Sequence, residues 1–159
     1  MGTEPSASPG WKEKAIITSL NEKQTILIVD DSMLNRALLA DMIGDAYRIV
    51  EAEDGKQAVA ALQKEGTGIS LVLLDYVMPQ MNGFDVLEVM NRNGWIKDIP
   101  VIMVSAESDA AYIERAYELG VTDFINRPYD VNIVRRRVMN TLMLYQKQRT
   151  LMGMVADQV

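Results

Sequence analysis

The residues able to do chemistry in this sequence stand in one repeated context. Asp30 and Asp31 close the run "TILIVDD", Asp75 closes "LVLLDY", Ser105 follows "VIMV" in "VIMVSA", and Arg127 lies in "TDFINRP". Each follows a short apolar run, so if those runs are strands of one parallel sheet, all five side chains reach the same edge. A single acidic residue at such a place is most often a helix cap; Asp31 alone could cap the following helix and Ser105 a turn. The set is harder to explain that way. Three carboxylates brought together without a histidine or a lysine-rich neighbourhood repel one another and raise each other's pKa unless a cation sits among them. A hard divalent ion relieves that conflict, and Mg2+ takes one or two carboxylates together with waters and phosphate oxygens. The cluster therefore predicts a metal and a phosphoryl group together.

Composition narrows the alternatives. A chain of 159 residues, 48% hydrophobic and 24% charged, has the size and balance of one soluble globular domain. With a net charge of −6 it has no general attraction to nucleic acid or to an anionic membrane surface. The absence of cysteine and histidine removes thiol chemistry, disulfides, the usual zinc sites and any triad with an imidazole base. Aspartate is the remaining chemical resource. The stretch "MGTEPSASPGWKEK" lacks the apolar core of a signal peptide, no span long enough to cross a membrane follows, and a cytoplasmic location is expected.

The elements that must position these residues are legible as alternation. Residues 1–23, rich in Pro, Ser and Gly and then in mixed charge, are expected to be a leader outside the core, with "AIITSL" its one apolar piece. From Thr25 onward the runs "TILIVDD", "YRIVEA", "LVLLDY", "VIMVSA" and "TDFINRP" alternate with amphipathic stretches. Three of them, Ile26 to Val29, Leu71 to Leu74 and Val101 to Val104, are continuously apolar, as central parallel strands covered on both faces should be. Between them, helices are predicted from Ser32 to near Gly44, from near Asp54 to Gly66, and in two segments closed by Gly94 and Gly120. A last helix starts near Tyr129 with no stop before Gly153. The pattern predicts a doubly wound α/β domain whose function gathers at the carboxyl ends of the strands.

These marks, taken in order, resemble the receiver domain of bacterial two-component response regulators. The resemblance covers about Thr25 to Asn140 and rests on Asp30-Asp31 after the first run, Asp75 after the third, "MPQMNG", "VSAES" and "DFINRPYD". It implies a five-stranded parallel sheet of flavodoxin-like order 2-1-3-4-5 flanked by five helices, the last extended, with residues 24–140 as the domain. It also implies that Asp75 accepts a phosphoryl group from a histidine kinase or phosphotransfer protein. Asp31 and Asp75 would bind Mg2+ directly, Asp30 through water, and Val77 through its backbone carbonyl. Ser105 would hydrogen-bond the phosphoryl oxygens, and Phe124 would be the aromatic switch that turns inward with it. Gly83 and Pro79 would shape the loop beside Asp75 for an approaching phosphohistidine. One position departs from the family: Arg127 stands where a lysine precedes the proline, a planar fork in place of a point charge, still able to pair with the phosphoryl group. The resemblance implies a switch that assists its own phosphorylation and dephosphorylation and turns over no metabolite. The alternative is a receiver-like module for interaction or dimerisation that works without phosphorylation.

Other readings fit less well. A phosphatase of the haloacid dehalogenase type needs a second aspartate two residues after its nucleophile, but Asp75 is followed by Tyr76 and Val77, and Asp31 by Ser32 and Met33. No glycine-rich nucleotide-binding fingerprint follows the first run. Arg135, Arg136 and Arg137 point about 100° apart on a helix and make no single basic face, so solvation and intrahelical pairing are expected. Methionines such as Met90 and Met103 read as core filling. In the last helix, Val131, Val134, Val138, Thr141, Tyr145, Gln148, Met152 and Val155 recur at spacings of three and four, which permits a seam with another helix and hence a homodimer. Residues 141–159 also resemble the helical linkers that join receivers to output domains such as cyclic-dinucleotide phosphodiesterases.

Overall fold

The structure is a computed structural model and describes residues 23–158. The leader expected over residues 1–23 lies outside the described residues, Lys23 apart. Five parallel strands, β1 (Thr25–Val29), β2 (Arg48–Ala52), β3 (Leu71–Asp75), β4 (Val101–Ser105) and β5 (Asp123–Asn126), form one sheet in the order β2-β1-β3-β4-β5. The flavodoxin-like order expected from the sequence is therefore present. The α-helices among the described residues are α1 (Met33–Ile43), α2 (Gly55–Glu65), α3 (Gly83–Arg92), α4 (Ala110–Glu118) and α5 (Val131–Gln158).

The central strands β1, β3 and β4 are buried at every position because helices cover both faces. Alternation along them sorts their side chains into two cores. Leu27, Val29, Val72, Leu74, Val101 and Met103 join residues of α2, α3 and α4 such as Leu62, Leu87 and Ala116. Ile26, Ile28, Leu71, Leu73, Ile102 and Val104 meet α1 and α5 through Leu39, Ile43, Val134, Val138 and Leu142. Met90 and Met103 are fully buried, so their reading as core filling holds.

Side-chain caps fix where the helices begin. Ser32 Oγ accepts from the Asn35 amide at 3.2 Å, Asp54 from Gln57 at 2.8 Å and Asp109 from Ala111 at 2.7 Å. Asn82 and Asp85 cap α3 reciprocally at 3.0 and 2.9 Å. Because Ser32 caps α1, Asp31 is not needed for that task. Helix α5 has 28 residues, about 42 Å at 1.5 Å per residue. Its proposed seam is partly occupied already: Val134, Val138 and Thr141 are buried against the domain, and Tyr145 Oη lies 3.5 Å from Thr122 Oγ1. Beyond Tyr145 the stripe continues with exposed Gln148 and Met152, and the side chain of Val155 lies outside the described residues. None of the helices is long and apolar enough to cross a membrane, among the described residues.

Two of the three arginines, Arg135 and Arg137, make tertiary contacts in place of intrahelical pairs, while Arg136 is exposed, in line with the expected solvation. Arg135 Nε donates to the Met42 carbonyl at 2.6 Å, and Arg137 donates to the Phe124 carbonyl and lies 3.9 Å from Asp123. Backbone acceptors on neighbouring elements cannot be foreseen from charge spacing along one helix.

Candidate functional site

Strand register brings the chemical residues together. Val29 pairs with Leu74, so the next residues, Asp30 and Asp75, sit side by side at the sheet edge. Asp75 pairs with Val104 and Ser105 with Asn126, which places Ser105 and Arg127 one step further along the same edge. The carboxylates of Asp30, Asp31 and Asp75 each offer an oxygen within 4.8 Å of the others. Asp30 and Asp75 are buried at 1% and 2% exposure, whereas Asp31 is exposed.

The buried pair is held from several sides. Asp30 Oδ1 accepts from the Ser32 amide at 2.8 Å, and its Oδ2 meets Arg127 Nη2 at 2.7 Å. The same Nη2 donates to Asp75 Oδ1 at 3.2 Å. Arg36, itself buried on α1, donates to the Asp30 carbonyl at 2.7 Å and to Glu51 at 2.8 Å, fixing the turn that leaves β1. Burial pushes the Asp75 carboxyl from 3.8 up to about 6; Asp30 adds to the push, Arg127 opposes it, Asp31 adds to it, and the Val77 amide opposes it. The cluster thus carries more negative charge than one guanidinium neutralises.

The turn after β3 is shaped by close packing. A Cβ on Gly83 would lie 2.7 Å from the Asp75 carbonyl oxygen, and the Gly83 amide donates to the Tyr76 carbonyl at 2.9 Å. Glycine here lets α3 start against the backbone of Asp75, a steric requirement that "MPQMNG" signals only as a turn. Val77, the expected source of a carbonyl, is 62% exposed beside the cluster. Ser105 is buried, and its Oγ accepts from the Glu107 amide at 2.9 Å; the hydroxyl proton is not used in that bond. The turn-capping role considered for Ser105 is thus present alongside its place at the site.

Phe124 is half-buried and packs edge-on to Tyr117 and Tyr112, at centroid distances of 5.1 and 6.0 Å. Tyr112 also contacts Tyr76 at 4.7 Å and Phe84 at 5.5 Å, which makes an aromatic cluster reaching from β3 to β5. Burial pushes the Tyr112 phenol above 10, opposed by Ser105. That approach falls short of hydrogen-bond geometry, so the hydroxyl is buried and unpaired. Sequence reasoning missed Tyr112 and Arg36, whose helical spacing reads as ordinary core and surface. It also missed Tyr129, although that residue stands two positions after Arg127.

Residues 26–139 match the profile of the response regulator receiver domain. The chain belongs to that family. A Vibrio cholerae protein described as a probable cyclic di-GMP phosphodiesterase is 38% identical over 114 residues, which are 72% of this chain and 25% of that protein. The present chain therefore corresponds to about a quarter of that relative. A two-component response regulator of Oryza sativa is 33% identical over 117 residues, 71% of this chain and 88% of its own. Among solved structures, the V. cholerae chemotaxis protein CheY4 superposes with a TM-score of 0.70 at 24% identity, covering 76% of this chain and 99% of its own. The signal receiver domain of an HD domain-containing protein from Pseudomonas fluorescens Pf-5 gives 0.72 at 20% identity, covering 79% and 99%. Both structures share the fold of this receiver domain.

Proposed function

We propose that this receiver domain is a phosphorylation-dependent signalling switch in which Asp75 accepts a phosphoryl group from a histidine kinase or phosphotransfer protein. One observation carries the reading: three carboxylates share 4.8 Å of space, and Asp75, buried among them, has its pKa pushed up to about 6. An all-oxygen donor set with unneutralised charge suits a hard divalent cation. Asp31 and Asp75 would hold Mg2+ directly, Val77 through its carbonyl, and Asp30 through water, since both Asp30 oxygens are already engaged by Ser32 and Arg127. When bound, Mg2+ supplies charge neutralisation at the phosphoryl oxygens.

The chain's own residues do the rest. An Asp75 carboxylate oxygen forms the new O–P bond as the N–P bond of the donor phosphohistidine breaks, leaving the electron pair on the imidazole nitrogen. Arg127 offers a fixed positive charge to the transferring group. Ser105 donates its hydroxyl proton to a phosphoryl oxygen, and Phe124, adjoining it through the aromatic cluster, turns inward. The added charge shifts the α4–β5–α5 surface between two populations. The output is a change of partner, of homodimer contact through α5, or of a domain joined through residues 141–159, such as the phosphodiesterase named for the V. cholerae relative. We assign residues 24–140 to the switch, place it in the cytoplasm, and assign it neither metabolite turnover nor direct nucleic-acid binding.

Incubation with acetyl phosphate tests the reading. Intact mass should rise by one phosphoryl group with Mg2+ present and not in EDTA, and Asp75→Ala should abolish the gain. A wild-type protein that gains no mass would instead favour a receiver that works without phosphorylation.

A further inference from the structure

Arg127 does not reach the acidic cluster alone. Its Nε donates to Tyr129 Oη at 3.2 Å, and its Cζ lies 6.0 Å from the centroid of the Tyr129 ring. Tyr129 is itself half-buried against the core formed by α1, α5 and one face of the sheet. The guanidinium is thus fixed at two points: Tyr129 at Nε, and Asp30 and Asp75 at Nη2, at 2.7 and 3.2 Å. The peptide bond between Arg127 and Pro128 is cis.

We propose that Tyr129 is a positioning residue for the phosphoryl chemistry, holding the Arg127 fork by Nε so that Nη2 alone is presented across Asp30 and Asp75. The inference rests on the proposed phosphoacceptor role of Asp75 and adds to it a residue that touches neither phosphate nor metal. Its physical basis is the shape of arginine. Nε–H and one Nη2–H form the side-on edge that grips two oxygens of a phosphate. Tyr129 takes the Nε half of that edge, so the phosphoryl group meets an Nη2 of fixed orientation and not the free side-on fork. A guanidinium on a long stem would otherwise have to be ordered at each transfer, with a corresponding loss of rate. A lysine at this position has no second nitrogen for a tyrosine to hold. Arg127 and Tyr129 therefore form one unit, and the departure at Arg127 is matched by a hydroxyl two residues on.

The test is a double-mutant cycle on the full chain, with Tyr129→Phe made in the wild-type and in the Arg127→Lys backgrounds. Loss of one charge-assisted hydrogen bond should slow Mg2+-dependent phosphorylation by acetyl phosphate about fivefold to tenfold in the wild-type background. In the Arg127→Lys background, the same change should alter the rate less than about twofold. Thermal melts confirm that each variant is folded. Equal slowing in both backgrounds, or none in the wild-type background, overturns the inference. A second readout stands apart from phosphorylation: the Arg127 Nε–H resonance should exchange slowly with water in wild-type protein and fast in Tyr129→Phe. Equal exchange in the two proteins also overturns the positioning role, whereas failure of wild-type protein to be phosphorylated counts against Asp75 as acceptor and leaves this arm to decide on Tyr129.

Discussion

Asp75→Asn should stabilise the metal-free protein, and should do so in a pH-dependent way. Asp75 is 2% exposed, and its carboxyl is pushed from 3.8 up to about 6, chiefly by burial and then by Asp30. A raised folded-state pKa means that the folded protein holds the proton more tightly than the unfolded chain does. Folding is therefore penalised once the group must ionise: the penalty begins near pH 3.8, grows as pH rises, and is complete above about 6. At about 1.4 kcal/mol per tenfold change, it comes to about 0.5 kcal/mol at pH 4 and about 3 kcal/mol at pH 7.5. The amide of asparagine has nearly the same shape and no charge. The Asp75–Arg127 contact loses its ionic part, since an amide oxygen can still accept from Nη2, and Arg127 keeps its shorter bond to Asp30 at 2.7 Å. The net gain at pH 7.5 should then be about 1–3 kcal/mol, falling to near zero at pH 4. Urea unfolding of both proteins in EDTA at the two pH values measures it. A gain that is absent at pH 7.5, or the same at both values, would refute the argument that buried negative charge strains this site.

Three further outcomes follow from individual contacts. Arg127→Ala leaves Asp30 buried beside Asp75 without its cation and should cost about 2–4 kcal/mol at pH 7 by denaturant unfolding, with less loss at low pH. Gly83→Ala drives a methyl to 2.7 Å from the Asp75 carbonyl and should cost about 1–3 kcal/mol, with slower phosphorylation because the proposed acceptor is displaced. Tyr112→Phe removes a buried, unpaired hydroxyl and should raise stability by about 1 kcal/mol, seen as a higher Tm.

The unbroken apolar runs of β1, β3 and β4 announce strands covered on both faces, and their polar followers announce the site, because a parallel sheet sends every strand's carboxyl end to one edge. Sheet order 2-1-3-4-5 came with the family resemblance, and the structure has it. What local pattern could not supply was the set of contacts joining distant segments. Arg36 reads as a surface residue of α1, yet it is buried against the Asp30 carbonyl. Tyr112 sits in an amphipathic helix where an aromatic residue is unremarkable, and only packing against Tyr76, Phe84 and Phe124 reveals its place beside Ser105. The recurrence along α5 was visible as a seam, but a one-dimensional spacing does not say which partner fills it. From Val134 to Thr141 the partner is the domain itself.

Locating the phosphoryl group tests the central claim most directly. After incubation with acetyl phosphate and Mg2+, borohydride reduction converts an aspartyl phosphate to homoserine, and peptide sequencing then identifies the position. Homoserine at position 75 alone, and none when EDTA replaces Mg2+, is the predicted result. Homoserine at position 30 or 31, or at no position, would contradict the assignment of Asp75 as the acceptor.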